Sequence, residues 1–338
     1  MSESTHIIFR RKPNGLPISE DFELVRSPTP AVADGQFLVE NLYLSLDPYV
    51  RMLMDGETWT FRGAGLTPGQ VMPGRCVGVV RESRHPAYAA GQHLVGHFGW
   101  QTHAVQDEAA VEFSVPPQSG VPLSAWLGAC GATGLTAWLG LQTIGEPRPG
   151  ETVVVSAAAG SVGSAAGQLA RAWGCRVIGI AGGDEKCRLV TEEFGFDAAC
   201  DYKRPDFARD LRDQTPDGVD VYFDNVGGAM LDEILARMNP GGRIPVCGVL
   251  SQYNLASEFP GLRNTRLIFD KRLRMQGYLV TEGRHLWPRA RAELEAMVAA
   301  GKLNYRETVA EGLPAAPGAF IRMLQGGNIG KQLVRVAP

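Results

Sequence analysis

The sequence lacks the features that would place the chain in a membrane or on nucleic acid. No apolar run approaches the roughly 18 residues needed to span a bilayer, and the N-terminus MSESTHIIFRRKPNG has no hydrophobic signal core. The net charge of −3 provides no basic surface for nucleic acid or an anionic membrane. We therefore expect a cytoplasmic protein that binds neither.

The spacing of a metal site is also missing. The six cysteines are scattered without a C-x-x-C pair, which argues against a disulfide framework and a structural zinc site. His93, His97 and His103 are close in sequence, but no nearby cysteine or His-Glu pair completes a zinc shell. We predict a protein that binds no metal.

The chain is long enough for two domains, and its two halves are patterned differently. With 338 residues, 44% hydrophobic and 20% charged, it exceeds the usual size of a single globular core. The first part, about 120 residues long, alternates short apolar runs with glycine and proline, which is typical of a mostly antiparallel, barrel-like domain. Beyond it, strand patterns such as 151–157, 175–181, 219–226 and 273–280 alternate with helical ones. This alternation predicts a doubly wound parallel sheet.

The stretch SAAAGSVGS, residues 156–164, lies between a predicted strand and a predicted helix. Its Ala158, Gly160 and Gly163 have the spacing of the G-x-G-x-x-G fingerprint, with alanine in place of the first glycine. A missing side chain at Gly160 lets a pyrophosphate approach the backbone, and one at Gly163 lets helix and strand pack closely. The helix N-terminus adds free N–H groups. A tight strand-to-helix turn is the alternative, but the βα context favours dinucleotide binding.

The loop after the second strand favours NADP over NAD. NAD-binding units of this kind usually carry Asp or Glu about 20 residues after the glycines, where it bonds the adenosine ribose. Here the small residues at 181–183 occupy that place. Lys186 lies in the next turn and Tyr202 ends the third strand, so a cation is within reach of a 2′-phosphate. The alternative for Lys186 is a solvated helix lysine.

Six motifs together resemble the zinc-free medium-chain dehydrogenase/reductases of the prostaglandin and leukotriene reductase group, also called alkenal/one double-bond reductases. They are LYLSLDPYVRMLM (42–54), AAAGSVGSAAGQLA (157–170), GFDAACDYK (195–203), DVYFDNVGG (220–228), CGVLSQYN (247–254) and GNIGKQLV (327–334). The resemblance covers nearly the whole chain. It implies an α/β fold: a GroES-like β-barrel domain over 1–124, a Rossmann domain that binds NADPH over 125–305, and a C-terminal return to the first domain over 306–338. It also implies a homodimer.

The resemblance further implies roles for individual residues. The cofactor-binding positions are Gly160, Ser161, Val162 and Gly163 at the pyrophosphate, Lys186 and Tyr202 at the 2′-phosphate beside the Gly183 loop, Asn225 near the nicotinamide half, and Asn328 from the C-terminal segment. One departure is visible in this chain. The family often has Ala-Gly-Ser before the acidic pair, whereas the sequence here is Ala-Gly-Gly and lacks a hydroxyl that could bond the phosphate.

Tyr253 is the candidate catalytic residue. Alcohol dehydrogenation needs a group that polarises or deprotonates the oxygen, and the sequence offers neither a zinc site nor an obvious Tyr-x-x-x-Lys pair. Reducing the carbon–carbon double bond of an enone needs less, because hydride adds to the β carbon and one or two donors stabilise the enolate oxygen. The resemblance places Tyr253 over the reacting carbonyl, where a phenol with an ordinary pKa of about 10 can donate. Packing at the core edge is the alternative.

Several other side chains are candidates for the substrate pocket. Tyr49 and Arg51 would line its entrance from the barrel side, and Phe61, Tyr278 and the Phe-Pro pair at 259–260 would form apolar walls. Barrel packing is the alternative for Tyr49, anchoring of an acidic neighbour for Arg51, and core packing for the others.

Taken together, these features predict a metal-free, NADPH-dependent reductase of small apolar enones or enals, such as 15-oxoprostaglandin-like enones and alkenals. A quinone oxidoreductase on the same fold is the near alternative. A non-catalytic NADPH-binding sensor is the alternative from another class, and it would retain the 156–164 loop without oxidising NADPH.

Overall fold

The computed structural model describes residues 3–56, 65–255 and 261–336. The chain divides into two compact units, one made of residues up to 127 and from 307 onward, the other of residues 128–306. The sequence predicted these boundaries at 124/125 and 305/306. None of the helices in the described part of the chain has the length and apolar character needed to cross a membrane.

The first unit is built mainly from antiparallel strands. Its elements before residue 128 are β1 (Glu3–Phe9), β2 (Phe22–Pro28), β3 (Phe37–Ser45), α1 (Val50–Leu53), β4 (Cys76–Ser83), β5 (His93–Gly96), β6 (His103–Gln106) and β7 (Val111–Ser114). The β1 and β2 strands pair with each other, and β3, β4, β5 and β7 follow one another in a sheet to which β6 adds at β3. Along β3, Phe37, Val39 and Asn41 are buried while the residues between them are less so. This period of two gives the sheet one face for the core.

The second unit is a parallel sheet with helices between its strands. Its elements are α2 (Ala132–Gly140), β8 (Thr152–Ser156), α3 (Ser161–Ala172), β9 (Arg176–Ala181), α4 (Asp184–Glu192), β10 (Ala198–Asp201), α5 (Phe207–Gln214), β11 (Val219–Phe223), α6 (Gly228–Arg237), β12 (Met238–Val246), α7 (Arg266–Asp270), β13 (Arg274–Gly277) and α8 (Trp287–Ala299). All neighbouring strands in the order β10-β9-β8-β11-β12-β13 are parallel. The predicted doubly wound sheet is confirmed.

The centre of this sheet is apolar on both faces. Val153 and Val155 of β8 pack into one buried cluster, and Val154 between them packs into the cluster on the opposite face. A strand covered on both sides has no solvated face, which explains its continuous apolar sequence. Chain order reverses between β8 and β11, and ligands of open parallel sheets bind at the carboxyl ends of the strands at such a reversal.

After the second unit the chain returns to the sheet of the first. The last elements are β14 (Glu307–Glu311), α9 (Ala316–Leu324) and β15 (Lys331–Arg335). The β15 strand pairs antiparallel with β3 and parallel with β14. The C-terminal segment therefore extends the β3 sheet, and the two-part α/β architecture expected from the sequence is confirmed.

Two strands are shorter than their apolar patterns suggested. The pattern at 219–226 predicted a strand three residues longer than β11, which ends at Phe223 because the Asp224 carboxylate accepts the N–H groups of Val226 and Gly227 and turns the chain. The pattern at 273–280 likewise yields only the four residues of β13. Local side-chain capping ended the first of these strands, and a hydropathy pattern does not register such capping.

Candidate active site

The turn between β8 and α3 depends on a close approach of two backbone segments. Ala157 adopts a φ of 50°, in the left-handed region that non-glycine residues seldom occupy. A Cβ added to Gly163 would lie 2.3 Å from the Ala157 carbonyl oxygen. Such a distance is impossible without moving the backbone, so glycine at 163 is what allows α3 to pack against the turn.

Gly160 sits at the start of the same helix but in a different environment. A Cβ built on it would meet only the Ala157 carbonyl oxygen, at 3.1 Å, within a radius of 4 Å. The first α-helical bond of α3 runs from the Ser164 N–H to the Gly160 carbonyl, so the N–H groups of Ser161, Val162 and Gly163 precede the helical ladder. N–H groups that lie outside the helical hydrogen-bond ladder, together with the positive end of the helix dipole, favour the binding of an anion. The turn fits a pyrophosphate.

Asp201 ties together the loops that follow β9 and β10. Its Oδ1 accepts the backbone N–H groups of both Gly183 and Lys203, at 2.9 Å each. Gly183 has a φ of 95°, which requires glycine, and a Cβ on Gly182 would lie 2.8 Å from the Tyr202 ring. The half-exposed Tyr202 ring therefore lies directly beside the loop in which the sequence lacked an acidic residue.

Two lysines converge on this loop. Burial, together with the nearby Lys203 ammonium, lowers the pKa of Lys186. The Lys203 side chain also reaches the loop, since its Cε would be 3.0 Å from a Cβ on Gly182. Sequence reasoning identified Lys186 but missed Lys203, although Lys203 directly follows Tyr202. Lys203 could have been identified from the pairing of β9 with β10, because this pairing brings the ends of the two strands, and the loops that follow them, together.

A cavity of about 430 Å³ opens beside Tyr202. Its lining comes from α5, α6 and the segment before α7, namely Tyr202, Phe207, Ala229, Met230, Asp232, Glu233, Arg263 and Asn264. Asp232 is already engaged, because its carboxylate accepts the N–H groups of Arg263 and Asn264 at 3.0 Å. The part of the wall formed by Asp232 and the 263–264 segment is therefore held by hydrogen bonds.

At the reversal point of the sheet, Asn225 is held against the end of β8. Its backbone N–H donates to Ser156 Oγ at 2.8 Å, and its side-chain Nδ2 donates to the Ser156 carbonyl at 2.7 Å. Both residues are buried. Two hydrogen bonds to one residue leave Asn225 a single orientation between the carboxyl ends of β8 and β11.

The carboxyl group of Asp224 organises the turn that carries Asn225. Its Oδ1 accepts the N–H groups of Val226 and Gly227, at 3.0 and 2.9 Å, and the Tyr222 hydroxyl at 3.0 Å. Its Oδ2 is buried and has no hydrogen-bond partner among the described residues. Burial accordingly raises the pKa of Asp224, against the lowering effect of the donors.

The segment that carries Tyr253 lies directly on this turn. Gly227 and Gly228 have positive φ values, and a Cβ on Gly228 would be 2.8 Å from Ser251 Oγ. Ser251 Oγ donates to the Val226 carbonyl at 2.7 Å. Two of the motifs quoted from the sequence, DVYFDNVGG and CGVLSQYN, are thus in contact, and the glycines of the first make room for the second.

Tyr253 follows the 3₁₀ helix Leu250–Gln252 and is only 9% exposed. A Cβ on Gly248 would be 3.3 Å from the Tyr253 hydroxyl and 3.3 Å from the Asn225 carbonyl oxygen. The structure therefore brings the predicted catalytic phenol and the predicted nicotinamide-side asparagine to one place. It also brings Lys186 and Tyr202 to a second place, beside Gly183.

The other predicted site residues make well-defined contacts of their own. Tyr278 is partly buried against the core of the second unit, where its hydroxyl donates to the Thr136 carbonyl at 2.9 Å and desolvation of the hydroxyl raises its pKa. Tyr49 precedes α1 and packs against the core of the first unit. Asn328 donates through Nδ2 to the Gly330 carbonyl at 2.9 Å. Pocket roles for Tyr278 and Tyr49 and a cofactor role for Asn328 stay predictions.

Arg51 is 1% exposed and already paired. Its guanidinium donates to Asp55 Oδ1 at 2.8 Å and to the Gly15 carbonyl at 3.0 Å. This is the anchoring of an acidic neighbour that the sequence offered as the alternative, and the pocket role of Arg51 stays a prediction. Phe61 and the Phe-Pro pair at 259–260 lie outside the described residues.

No group of three or more His, Cys, Asp or Glu side chains that could hold a metal ion occurs within residues 3–56, 65–255 and 261–336. All six cysteines are free, and four of them are buried. Burial raises the pKa of the thiols, to about 11 for Cys175 and Cys187 and to about 12 for Cys130. Without a bound metal, these thiols are therefore protonated at neutral pH.

Family models match both parts of the chain. Residues 5–113 match the N-terminal domain of oxidoreductase, and residues 161–296 match the zinc-binding dehydrogenase domain. The second description names a metal for which the described residues provide no ligand cluster. The matched residues 161–296 all lie within the second unit, which holds the parallel sheet.

Similar proteins match the chain over nearly its whole length. The NADPH-dependent curcumin reductase of Escherichia coli is 40% identical over 98% of this chain and 96% of its own. The NADP(+)-dependent 2-alkenal reductase of Nicotiana tabacum is 39% identical over 98% and 97%. The crystal structure of CurA from Vibrio vulnificus in complex with NADPH superposes with a TM-score of 0.92, at 38% identity, over 99% of both chains.

These matches decide the family. Identity near 40% over the full length, together with the superposition on an NADPH complex, confirms the predicted NADPH-dependent oxidoreductase. The carboxyl edge of the parallel sheet fits that cofactor, with an open helix N-terminus at one place and two lysines at another. The chain belongs to the zinc-free medium-chain dehydrogenase/reductases of the prostaglandin and leukotriene reductase group, the alkenal/one double-bond reductases.

Proposed function

We propose that this chain reduces the carbon–carbon double bond of α,β-unsaturated ketones and aldehydes, including alkenals and 15-oxoprostaglandin-like enones. Relatives at about 40% identity are named for curcumin and for 2-alkenals, which supports this substrate class. When bound, NADPH supplies the hydride that adds to the β carbon. The observation that carries the proposal is the buried phenol of Tyr253 beside the Asn225 turn.

Tyr253 acts as the hydrogen-bond donor to the carbonyl oxygen of the substrate. As the double bond is reduced, negative charge develops on that oxygen, and a fixed phenol O–H stabilises it without further reorganisation. The phenol is fixed because its segment is hydrogen-bonded to the Asn225 turn and because its ring is buried. Water has little access to such a donor, which strengthens its interaction with a developing charge.

The Gly160 turn and the Lys186 loop hold the cofactor. The N–H groups at the start of α3 bind the pyrophosphate, and Asn225 faces the nicotinamide half. Lys186 and Tyr202 bind the adenosine 2′-phosphate, and we add Lys203 to this set because it approaches both Lys186 and Gly182. Two ammonium groups held close together repel each other, and a phosphate between them relieves that repulsion.

Two copies of the chain pair through the outer edge of β13. All four residues of this edge strand are exposed, and Phe269, in the α7 helix that precedes it in the chain, is 83% exposed. A twofold axis through the edge would run two β13 strands antiparallel and join the two sheets.

A cytoplasmic location is supported by the six free cysteines, since free thiols persist in a reducing compartment.

The substrate class is tested by a screen of NADPH oxidation with alkenals, enones, quinones and simple saturated ketones as hydride acceptors. Product analysis should find the saturated carbonyl compound, with the carbonyl group retained. Turnover of quinones at least as fast as of alkenals would favour a quinone oxidoreductase. NADPH binding without substrate-dependent oxidation would favour a sensor.

A further inference from the structure

We propose that Gly248 is a positioning residue for Tyr253: the absence of a side chain at 248 leaves the space that the Tyr253 hydroxyl occupies. The inference rests on the proposed catalytic role of Tyr253. The two atoms nearest to a Cβ built on Gly248 are the Asn225 carbonyl oxygen and the Tyr253 hydroxyl oxygen, both at 3.3 Å. The glycine thus lies between the two residues to which we assign the nicotinamide end of the site.

The backbone at Gly248 cannot retreat from this contact. Four backbone N–H groups of the segment donate to carbonyls of the Asn225 turn: Cys247 to Asp224 at 2.8 Å, Gly248 to Asp224 at 3.2 Å, Leu250 to Asn225 at 3.2 Å and Ser251 to Val226 at 3.1 Å. The turn is in turn fixed by the Asp224 carboxyl group. A methyl group at 248 would therefore act on the phenol, which is the more movable of its two neighbours.

The conformation of Gly248 makes an alanine substitution a purely steric test. Its φ lies outside the left-handed region, unlike those of Gly227 and Gly228, so an alanine there suffers no backbone strain. A contact of 3.3 Å is slightly tighter than ordinary van der Waals distance, and the neighbour must give by a few tenths of an ångström. Gly248→Ala should therefore shift the Tyr253 hydroxyl and leave the fold in place.

A small shift of this kind affects the chemical step more than binding. A misplacement of 1 Å in a reacting group can cost about a hundredfold in rate, so a few tenths of an ångström should lower kcat about three- to tenfold. The effect requires the hydroxyl. In a Tyr253→Phe background the hydroxyl is gone and only the contact with the Asn225 carbonyl oxygen remains, so the added methyl group should lower kcat much less than in wild type.

The experiment is a double-mutant cycle with wild type, Gly248→Ala, Tyr253→Phe and the double variant. Steady-state kcat and KM are measured with a medium-chain enone, NADPH affinity by calorimetry, and stability by chemical denaturation. Gly120→Ala is the matched control, because a Cβ on Gly120 meets nothing within 4 Å and its φ is not left-handed. We expect Gly248→Ala to lower kcat by a clearly larger factor in wild type than in the Tyr253→Phe background, and to leave NADPH affinity within about twofold. It should also destabilise the wild-type protein more than it destabilises the Tyr253→Phe variant.

Three results would overturn the inference. One is wild-type kcat in Gly248→Ala while Tyr253→Phe is impaired. Another is the same fold-loss of kcat from Gly248→Ala in both backgrounds, and the third is a loss of NADPH affinity that accounts for the lower rate. If Tyr253→Phe itself keeps wild-type kcat, the catalytic assignment of Tyr253 fails first, and the positioning role fails with it. The stability comparison gives an independent reading of the steric contact if any variant proves inactive.

Discussion

The backbone N–H of Cys247 donates to the Asp224 carbonyl at 2.8 Å, so the segment that leads to Tyr253 is joined to the turn that presents Asn225. These segments follow the neighbouring parallel strands β11 and β12, whose carboxyl ends lie at the same edge of the sheet. The proposed donor to the substrate and the proposed contact to the nicotinamide half therefore share one hydrogen-bonded support. A substitution that moves either segment should therefore also shift the other.

The first prediction concerns the turn after β8. Gly160→Val should abolish NADPH binding, because it places a branched side chain where the pyrophosphate approaches the backbone. The protein should stay folded, because the φ of Gly160 is −84° and a Cβ there would meet a single atom, the Ala157 carbonyl oxygen at 3.1 Å, which must give by a few tenths of an ångström. Gly163→Ala provides the contrast. The Cβ of an alanine at 163 would lie 2.3 Å from the Ala157 carbonyl oxygen, so this variant should have a lower thermal stability than wild type. Calorimetric titration with NADPH and thermal unfolding separate the two effects, and near-native affinity in Gly160→Val would refute the pyrophosphate assignment.

The second prediction concerns cofactor choice. A charge-assisted contact to phosphate contributes on the order of 1.5–3 kcal/mol, so Lys186→Ala should weaken NADPH binding about ten- to hundredfold and scarcely affect NADH. Lys203→Ala should act in the same direction by a smaller factor, because Lys203 is exposed and its charge is screened. The exposed Lys302 serves as the control in a Lys302→Ala variant. Parallel losses for NADPH and NADH would contradict a 2′-phosphate role.

The third prediction concerns stability in acid. Glu112 accepts a hydrogen bond from Arg75 Nε at 2.9 Å and lies 3.0 Å from His97 Nε2, and these partners outweigh burial and lower its pKa to about 2. A carboxyl whose folded pKa is depressed stabilises the fold above its unfolded pKa, and this stabilisation is lost as the pH falls from about 4.5 toward 2. Glu112→Gln should lower the free energy of unfolding at pH 7 by on the order of 3 kcal/mol.

The difference between Glu112→Gln and wild type should shrink below about pH 4. Denaturant unfolding at several pH values measures it, with the exposed Glu82 changed to Gln as the control. A difference that stays constant down to pH 2.5 would show that Glu112 stabilises the fold by packing and not by its charge.

The fourth prediction concerns assembly. If β13 pairs with the β13 strand of a second copy, the protein in solution should have twice the 36.4 kDa mass of one chain. Phe269→Glu should produce the monomer, because it would place two negative charges at the interface between the copies. Ile18→Glu changes an exposed apolar residue of the first unit, at 49% exposure, and should leave the dimer intact. Light scattering after size exclusion measures both, and a monomeric wild type at micromolar concentration would refute the edge pairing.

Much of the fold was readable from local sequence, because the signals are local. The βα alternation predicted the parallel sheet, and the small residues at 156–164 predicted the open helix start that the structure has at Gly160. The absence of an acidic residue after β9, which favours NADP over NAD, is likewise a property of a single loop. In each case the residues that determine the structure lie within a few positions of one another.

What the sequence could not provide arises from contacts between distant segments. Lys203 joins Lys186 only because β10 pairs with β9, and strand order is not written in either strand. The glycines at 227 and 228 matter because Val249 and Ser251 lie against them, a relationship that no turn pattern predicts. Arg51 is a pocket candidate because of its place in the LDPYVRM stretch, and its partners at Gly15 and Asp55 become visible only in the folded first unit.

In the proposed reaction, Tyr253 donates to the oxygen on which charge develops. The decisive measurement is the steady-state kinetics of Tyr253→Phe with a simple medium-chain enone, alongside NADPH titration. Because such a hydrogen bond strengthens in the transition state, kcat should fall more than KM rises, by about a hundredfold or more, or roughly tenfold if a cofactor ribose hydroxyl shares the role. NADPH affinity should be unchanged. Wild-type kcat in Tyr253→Phe would exclude this donor role and leave Tyr253 with a role in packing only.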